Sequence, residues 1–250
     1  MQHNLSPSDT SNALSSNKTN VRHISGSHDN ISLACINVRS LLCHIDELSV
    51  IVSKHQFDII AINETWLDST VSDLECSIEG YNLLRRDRNR HGGGVLFYLK
   101  DNITYSEWPD LNINNVECLY IEVTVPKLKP FIVCTMYRPP SANVTYFEDM
   151  VNSIENVIDS NDNLILLGDL NYDYCIDETL CNNPIQYIQQ LFSMSQLITS
   201  PTRITECTST TIDLILTTMP DLHLSSRVIP STFSDHYIVC LLYTSDAADE

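Results

Sequence analysis

The segment ISLACINVRSLLCHIDELSVIVSKHQFDIIAINETWL, residues 31–67, joins two short apolar runs through a stretch of different periodicity. The runs ISLACIN and FDIIAIN are mostly apolar and end at polar residues, which is typical of short strands buried on both faces. The stretch between them places apolar residues at the spacing of one helical face, at Leu41, Leu42, Ile45, Leu48 and Val52. This segment therefore predicts a strand, a helix and a second strand.

The rest of the chain repeats both patterns. Strand-like runs separated by turn residues are GVLFYLK, VECLYIEVTV, FIVCTMY, NLILLGD and TIDLILTT. Helical spacing returns in two segments, TYFEDMVNSIENVIDS and PIQYIQQLFSMSQ. Many strands with a few interspersed helices indicate an α/β protein with layered sheets.

The composition is that of a globular protein. The 250 residues are 43% hydrophobic and include only six glycines, so the chain can bury a substantial core. No apolar run approaches the ~20 residues of a membrane helix, and the polar start shows no secretory signal. We therefore expect an intracellular protein without membrane contact. None of the nine cysteines lies in a C-x-x-C pair, which favours buried reduced thiols over a zinc site.

Three parts of the chain differ in composition. Residues 1–29 are rich in Ser, Asn, Thr and His and predict a disordered polar leader. Residues 30–239 carry the strand and helix patterns and form the predicted domain. Residues 240–250, CLLYTSDAADE, follow neither pattern.

We interpret residues 240–250 as a translated sequencing-adapter tail on a truncated chain. One codon choice for Cys240–Ser245, TGT CTC TTA TAC ACA TCT, resembles the transposase end of library adapters, and such segments are excluded from fold reasoning. A natural acidic C-terminus is the alternative. The apolar, β-prone letters LLYTS can extend the preceding strand, which we expect to be frayed at an edge of the fold.

The charge of the chain is unusual for a protein that binds nucleic acid. The formal net charge is −18, whereas nucleic-acid binders usually present a basic face. The one dense basic cluster is RRDRNRH, Arg85–His91, followed by three glycines. It is either a solvated hairpin tip or a loop that contacts phosphates, and charge alone does not decide between them.

Polar side chains stand where the predicted buried strands begin or end. These residues are Asn37, Glu64, Tyr137, Asp169, Asn171, Asp213, Asp235 and His236. Taken singly, each is explained as a helix cap, a turn residue or a surface acid. Together they predict one rim at which polar groups converge on a ligand.

The residue types at this rim indicate a particular chemistry. Carboxylates and amides without clustered thiols suit a hard cation such as Mg²⁺. A histidine and a tyrosine beside it can stabilise a charged phosphoryl oxygen, and an aspartate with a nearby asparagine can position and activate water. The rim therefore predicts metal-assisted hydrolysis of a phosphate ester.

Seven motifs in order resemble a known superfamily: NVRSL, DIIAINETWL, RRDRNRHGGGVLFY, YRPP, GDLN, TIDLILT and SDHY, spanning residues 31–239. They resemble the exonuclease–endonuclease–phosphatase superfamily and, more narrowly, the apurinic-type endonuclease domain of non-LTR (LINE-type) retrotransposons. ETWL, GGGVLFY and YRPP favour the retrotransposon branch. The resemblance implies an α/β fold, a four-layered α/β sandwich in which two packed mixed β-sheets are flanked by helices.

The resemblance also implies roles for the rim residues on the metal side. Glu64 would be the main ligand of Mg²⁺, or of Mn²⁺ in its place, with Asn37 and Asp235 near the metal. Whether one metal or two take part stays open.

On the phosphate side, the resemblance implies that Asp169 orients or deprotonates the attacking water with help from Asn171. Tyr137 and His236 would contact the scissile phosphate, and Asp213 would pair with His236.

Two further sets of residues are candidates. The family places a Ser or Thr upstream of the ID motif, and both Thr208 and Ser209 fit that description. The candidate DNA contacts are Arg85, Arg86, Arg88, Arg90 and Arg138.

A domain of this kind nicks one DNA strand, and the freed 3′-hydroxyl primes reverse transcription. Its partners would be the DNA substrate, a downstream reverse transcriptase and the element RNA. This function requires access to the nucleus, although the sequence carries no clear targeting signal. The alternatives are a phosphatase or phospholipid hydrolase of the same fold and an inactive, truncated retrotransposon remnant.

Overall fold

The structure, a computed structural model, describes residues 30–108, 115–174 and 183–244. Its helices are α1 Leu41–His55, α2 Val144–Ile158 and α3 Pro184–Phe192. Its strands are β1 Asn30–Asn37, β2 Ile59–Asn63, β3 Tyr81–Arg86, β4 Val95–Lys100, β5 Thr104–Glu107, β6 Glu117–Thr124, β7 Phe131–Tyr137, β8 Leu164–Asp169, β9 Ser195–Gln196, β10 Arg203–Ile204, β11 Ser209–Thr210, β12 Asp213–Thr217, β13 His223–Ile229 and β14 Ile238–Thr244. Short 3₁₀ turns cover Asp73–Cys76 and Pro220–Leu222. The predicted leader and residues 245–250 lie outside the described residues.

Two six-stranded mixed sheets carry the fold. The first has the order β13-β14-β1-β2-β4-β3, and the second has the order β5-β6-β7-β8-β12-β9. Each contains one parallel pair, β1 with β2 in the first sheet and β7 with β8 in the second. The strands β10 and β11 form a separate two-stranded sheet.

Three apolar layers alternate with the sheets and helices. Leu33 and Cys35 of β1 face the second sheet, where they join Val133 and Leu167 in the central core. The alternate residues of β1, such as Ile36, pack on the other face against α1. The second sheet buries its outer face against α2 and α3. The predicted four-layered α/β sandwich is confirmed, and burial on both faces explains why the strands read as continuous apolar runs.

The opening strand, helix and strand are confirmed as β1, α1 and β2. The predicted face of α1 buries Leu41, Leu48 and Val52 against the first sheet. The helix ends where Gln56 adopts a left-handed conformation and its backbone N–H donates to the Val52 carbonyl. This returns the chain directly into β2, parallel to β1.

Some boundaries differ from the sequence prediction. The helix predicted through Gln196 ends at Phe192, because Ser193 takes a left-handed φ of 52°. Strands β3 and β13 were not predicted from the apolar runs. Among the described residues, no helix combines the length and the apolar character that a membrane crossing requires.

Strand β14 extends into residues 240–244, as the β-prone letters LLYTS predict, but it is more central than expected. It lies between β1 and β13, and its ladder with β1 runs from Cys35 opposite Val239 to Asn30 opposite Thr244. Tyr243 is fully buried in the central core. The expectation of a frayed strand at an edge is wrong, since β1 pairs with residues 239–244 of β14 and β13 pairs along residues 238–243. The adapter interpretation of residues 240–250 stays a prediction.

Candidate active site

The topology brings the polar strand ends to one edge of the sandwich. In the first sheet, the parallel strands β1 and β2 end at Asn37 and Asn63, directly before Glu64. In the second sheet, Asp169 at the end of β8 lies opposite Asp213, which begins the antiparallel strand β12. Residues that are distant in sequence therefore meet where the two sheets face each other.

Glu64 is held by side chains from both sheets. Its Oε1 accepts hydrogen bonds from Asn37 Nδ2 at 2.9 Å and from the Tyr137 hydroxyl at 3.0 Å. Its Oε2 accepts one from the indole N–H of Trp66 at 2.9 Å. Burial and the Glu64 carboxylate raise the pKa of Tyr137 well above its usual value, so the phenol stays a proton donor. Trp66 was not predicted as a site residue.

Asp169 is the second acid of this cluster. It is 1% exposed, and its Oδ2 accepts from the same Asn37 Nδ2 at 2.8 Å. Its Oδ1 accepts from the backbone N–H of Asn171 at 3.1 Å, while its own N–H donates to Asn63 Oδ1 at 2.8 Å. Burial and the neighbouring Asp213 charge raise the pKa of Asp169 to about 7. We call Asn37, Glu64, Tyr137 and Asp169 the acid network.

Asn63 holds the acid network from the protein interior. Besides accepting from Asp169, it donates through Nδ2 to the Thr135 hydroxyl of β7 at 3.0 Å. Asn63 and Thr135 are both fully buried, so this amide links the two sheets directly under the site. In the sequence, Asn63 is the polar residue of INE that directly precedes Glu64.

The His–Asp pair, His236 with Asp213, borders the acid network. His236 Nδ1 lies 2.9 Å from Asp213 Oδ2 and 4.0 Å from Asp169 Oδ2. Burial lowers the pKa of His236, but the carboxylates of Asp213 and Asp169 outweigh it, and the pKa lies above its usual 6.5. With Nδ1 bound to Asp213, Nε2 is the nitrogen that can donate to another group.

A threonine that the sequence did not single out holds Asp213. The fully buried Thr202 donates from Oγ1 to Asp213 Oδ2 at 2.8 Å, and it accepts from the Asp213 backbone N–H at 3.0 Å. Neither sequence candidate has this contact: Thr208 bonds Thr205, and Ser209 lies exposed in β11. Thr202 lies eleven residues upstream of Asp213, on the far side of a hairpin.

Unusual backbone conformations concentrate at the site. Among the described residues, eight that are not glycine have positive φ, and five of them lie at the rim. These five are Arg39, Ser40, Glu64, Trp66 and Asn171. Such conformations cost free energy and occur preferentially at functional sites. Here they occur in the turns that directly follow β1, β2 and β8.

Asp235 lies at the rim rather than inside the acid network. Its carboxylate accepts from Arg203 Nε at 2.9 Å and from Arg39 Nη1 at 3.4 Å. Burial opposes the charged form, but the two guanidinium groups and His236 prevail and hold the pKa of Asp235 below its usual value.

Three of the five candidate DNA-contacting arginines point into the protein. Arg85 donates to the Val71 carbonyl, and Arg86 donates to the Val116 carbonyl at 2.7 Å. Arg138 is 7% exposed, donates to the Ala142 carbonyl at 2.8 Å and lies 4.0 Å from the Tyr172 ring centroid. Arg88 and Arg90 are exposed at the hairpin tip.

The glycine run after this cluster has a structural role. Gly94 has a φ of 85°, and an added Cβ would lie 2.4 Å from Thr65 Oγ1, so only glycine fits here. The Gly93 carbonyl accepts from the Trp66 N–H at 3.0 Å, and the Gly94 N–H donates to Glu117 Oε2 at 2.6 Å. The loop therefore supports the segment that carries Glu64 and Trp66.

The donor set fits a hard divalent cation. Glu64 Oε1 and Asp169 Oδ2 both accept from Asn37 Nδ2, so two carboxylates, the ligands that such a cation prefers, converge on one side chain. A second group, Asp169, Asp213 and His236, offers ligand atoms within 4.8 Å of one another. There the bond between His236 and Asp213 already occupies the imidazole Nδ1, so the Glu64 side has the more suitable oxygens.

A family model for the endonuclease/exonuclease/phosphatase family matches residues 34–236. The chain belongs to this family. Its members are metal-dependent phosphodiester hydrolases, and the superfamily resemblance seen in the sequence is confirmed. No curated protein matches the chain by sequence.

Solved structures of this family share the fold. The endonuclease domain of TRAS1, a telomere-specific non-LTR retrotransposon, has a TM-score of 0.67 at 16% identity, covering 85% of this chain and 98% of that one. The 3′-5′ exonuclease NExo from Neisseria meningitidis has a TM-score of 0.67 at 17% identity, with 86% and 100% covered. An AP endonuclease from Archaeoglobus fulgidus has a TM-score of 0.61 at 12% identity, with 85% and 99% covered.

Proposed function

We propose that this family member is a Mg²⁺-dependent DNA endonuclease that nicks one strand and leaves a 3′-hydroxyl. One observation carries the proposal: the acid network and the His–Asp pair meet at a single edge, with His236 Nδ1 4.0 Å from Asp169 Oδ2. This arrangement supports a reaction in which a base, a phosphate ligand and oxygens for a cation surround one small space. The family membership supports the reaction class, and the similarity to nuclease folds supports the choice of DNA.

Four residues of the site, Asp169, Asn171, Tyr137 and His236, act directly in this hydrolysis. Asp169, whose Oδ1 is oriented by the Asn171 N–H, accepts a proton from the attacking water. Tyr137 and the charged His236 donate to the phosphate oxygens as negative charge develops on them. The water oxygen forms a bond to phosphorus and the bond from phosphorus to the 3′-oxygen breaks. That oxygen takes a proton from solvent to leave as the 3′-hydroxyl, and Asp169 releases its proton to solvent.

Glu64, with Asn37 beside it, is the proposed holder of the cation. A bound divalent cation would supply Lewis-acid stabilisation of the phosphate charge. The Trp66 indole N–H donates to Glu64 Oε2 at 2.9 Å. The fluorescence of Trp66 should therefore respond when a cation binds that carboxylate. Titration with Mg²⁺ or Mn²⁺ should change the emission of the wild type and of Trp108→Phe. The change should disappear in Glu64→Ala, and an unaltered response there would place the cation elsewhere.

The nicking assay tests the activity itself. Supercoiled plasmid incubated with Mg²⁺ should become open circles with the wild type and with Glu155→Ala, a change of an exposed glutamate on α2. Glu64→Ala and His236→Ala should each lose the activity by at least about a hundredfold. Undiminished nicking by both variants would overturn the assigned mechanism. Hydrolysis of a phosphomonoester or a phospholipid without nicking would favour the alternative activities.

We further propose that the nick serves target-primed reverse transcription by a downstream polymerase on element RNA. The motifs ETWL, GGGVLFY and YRPP and the similarity to the TRAS1 endonuclease fold support this branch. The nicked strand should be extended directly by a DNA polymerase, which requires a 3′-hydroxyl. Extension only after phosphatase treatment would contradict this role. An inactive remnant would leave the plasmid supercoiled.

A further inference from the structure

Two arginines share one carboxylate at the rim of the site. Asp235, whose side chain is 24% exposed, accepts from Arg203 Nε at 2.9 Å and from Arg39 Nη1 at 3.4 Å. The side chains of Arg39 and Arg203 are 50% and 36% exposed. Each contact uses one nitrogen of a guanidinium group that has five N–H donors, so each group keeps donors for a ligand. We call Arg39 and Arg203 the arginine pair.

The chain attaches both arginines to the catalytic residues. The backbone N–H of Arg39 donates to Asn37 Oδ1 at 3.1 Å. Arg203 directly follows Thr202, the residue that holds Asp213, and its backbone forms a β-bridge with His236. These backbone links place the arginine pair next to the catalytic residues, on the His236 side of the site.

The charge balance at this rim favours an anion. Two guanidinium groups against one carboxylate leave one net positive charge, in a chain whose net charge is −18. The shared carboxylate also restrains both side chains before a ligand arrives, which reduces the entropy lost on binding. Planar guanidinium groups match the geometry of phosphate oxygens.

We propose that the arginine pair, held in position by Asp235, contacts the DNA backbone phosphates that flank the scissile one. This inference rests on the proposed function, since it takes DNA as the substrate. It gives Asp235 a positioning role at the rim. These two phosphate contacts come from residues far apart in sequence and outside the Arg85–His91 cluster.

Binding of a labelled DNA duplex in EDTA, measured by fluorescence anisotropy, separates this role from catalysis. Arg39→Gln and Arg203→Gln should each weaken binding about tenfold near 0.15 M salt. Each should also reduce the slope of log K against log salt by about 1, because one phosphate contact is lost. The control is Lys54→Gln, an exposed cation at the other end of α1, about 20 Å away and beyond the Debye length. It should leave both quantities unchanged.

Arg39→Lys and Arg203→Lys test the role of the guanidinium. They keep the charge and should retain the salt slope while losing part of the affinity. Thermal unfolding of every variant shows whether it is folded, and the slope is compared only among folded variants.

The outcomes distinguish this inference from the proposed function. If the wild type nicks and binds DNA but both glutamine variants keep its salt slope, the arginine pair is only a structural link to the loop before His236, and the inference fails alone. If the wild type neither nicks nor binds DNA, both proposals fail. Loss of slope in the glutamine variants with a normal Lys54→Gln supports the inference.

Discussion

The candidate active site and the Arg85–His91 segment are two charged regions that differ in how the fold arranges them. The fold gathers residues that are distant in sequence into the site, and it disperses the neighbouring residues of the segment. The site collects residues from Asn37 to His236, separated by up to 199 positions, into one hydrogen-bonded cluster. The basic segment is the densest charge cluster in the chain, yet the structure spreads its side chains over different surroundings.

Strand geometry explains the dispersal of the basic segment. Successive side chains of a strand point to opposite faces, so Arg85 and Arg86 at the end of β3 separate. Arg85 reaches Val71 and Asp73 in the preceding loop, while Arg86 reaches the Val116 carbonyl beside the second sheet. A high density of charged residues along the chain therefore does not predict a charged surface. Convergence of strand ends does predict a site, since the topology fixes which ends meet.

The largest expected effect concerns Asp169, a buried residue of the candidate active site. Asp169→Asn keeps the size of the side chain but removes the proton acceptor, so the rate of plasmid nicking should fall by about 10²- to 10⁴-fold. Asp162→Asn, an exposed aspartate just before β8, is the matched control and should nick at the normal rate. A loss below tenfold for Asp169→Asn would remove Asp169 from the proton-transfer step.

The second prediction concerns the structural use of the basic segment. Arg85→Met removes the hydrogen bond to the Val71 carbonyl and the ion pair with Asp73 while keeping an apolar stem. The free energy of unfolding should fall by about 1–3 kcal/mol. The midpoint of urea-induced unfolding should fall to a lower urea concentration with an unchanged m value. The affinity for DNA should stay normal. A folded variant of normal stability with weakened DNA binding would show instead that Arg85 contacts DNA.

The third prediction concerns the protonation of His236. The Asp213 carboxylate is the strongest influence raising the pKa of His236 against burial, so NMR titration should show a lower pKa in Asp213→Asn than in the wild type. A raised pKa stabilises the folded state below the unfolded pKa, near 6.5, and this stabilisation is lost as pH rises through the folded value. The variant should therefore lose more stability at pH 6 than at pH 9. An unchanged pKa would show that Asp213 does not set the protonation of His236.

The smallest effect is expected at the exposed tip of the basic segment. Arg90→Gln should change the free energy of unfolding by no more than about 0.5 kcal/mol, because Arg90 is exposed. If the tip contacts DNA, the salt slope of duplex binding should decrease by about 1. An unchanged slope would leave the tip as a solvated hairpin, which is the other interpretation of this segment.

Several residues of the site lay beyond sequence reasoning for identifiable reasons. Thr202 and Asn63 act through contacts with Asp213 and Asp169 that exist only after the strands have paired. Arg39 and Arg203 are isolated cations in the sequence, and only the shared Asp235 carboxylate makes them a pair. Trp66 stood inside the recognised ETWL motif, but its apolar ring concealed the N–H that it donates to Glu64.

The sequence by itself determined the layered α/β class, the opening strand–helix–strand unit and the set of polar strand ends. These follow from periodicity and from local polarity, which depend on neighbours within a few residues. Only the tertiary structure decided that β14 lies inside the first sheet, that Asp235 binds two arginines and that Arg85 and Arg86 turn into the protein. These contacts join residues that are far apart in the chain, and their partners are set by how the sheets pair and pack.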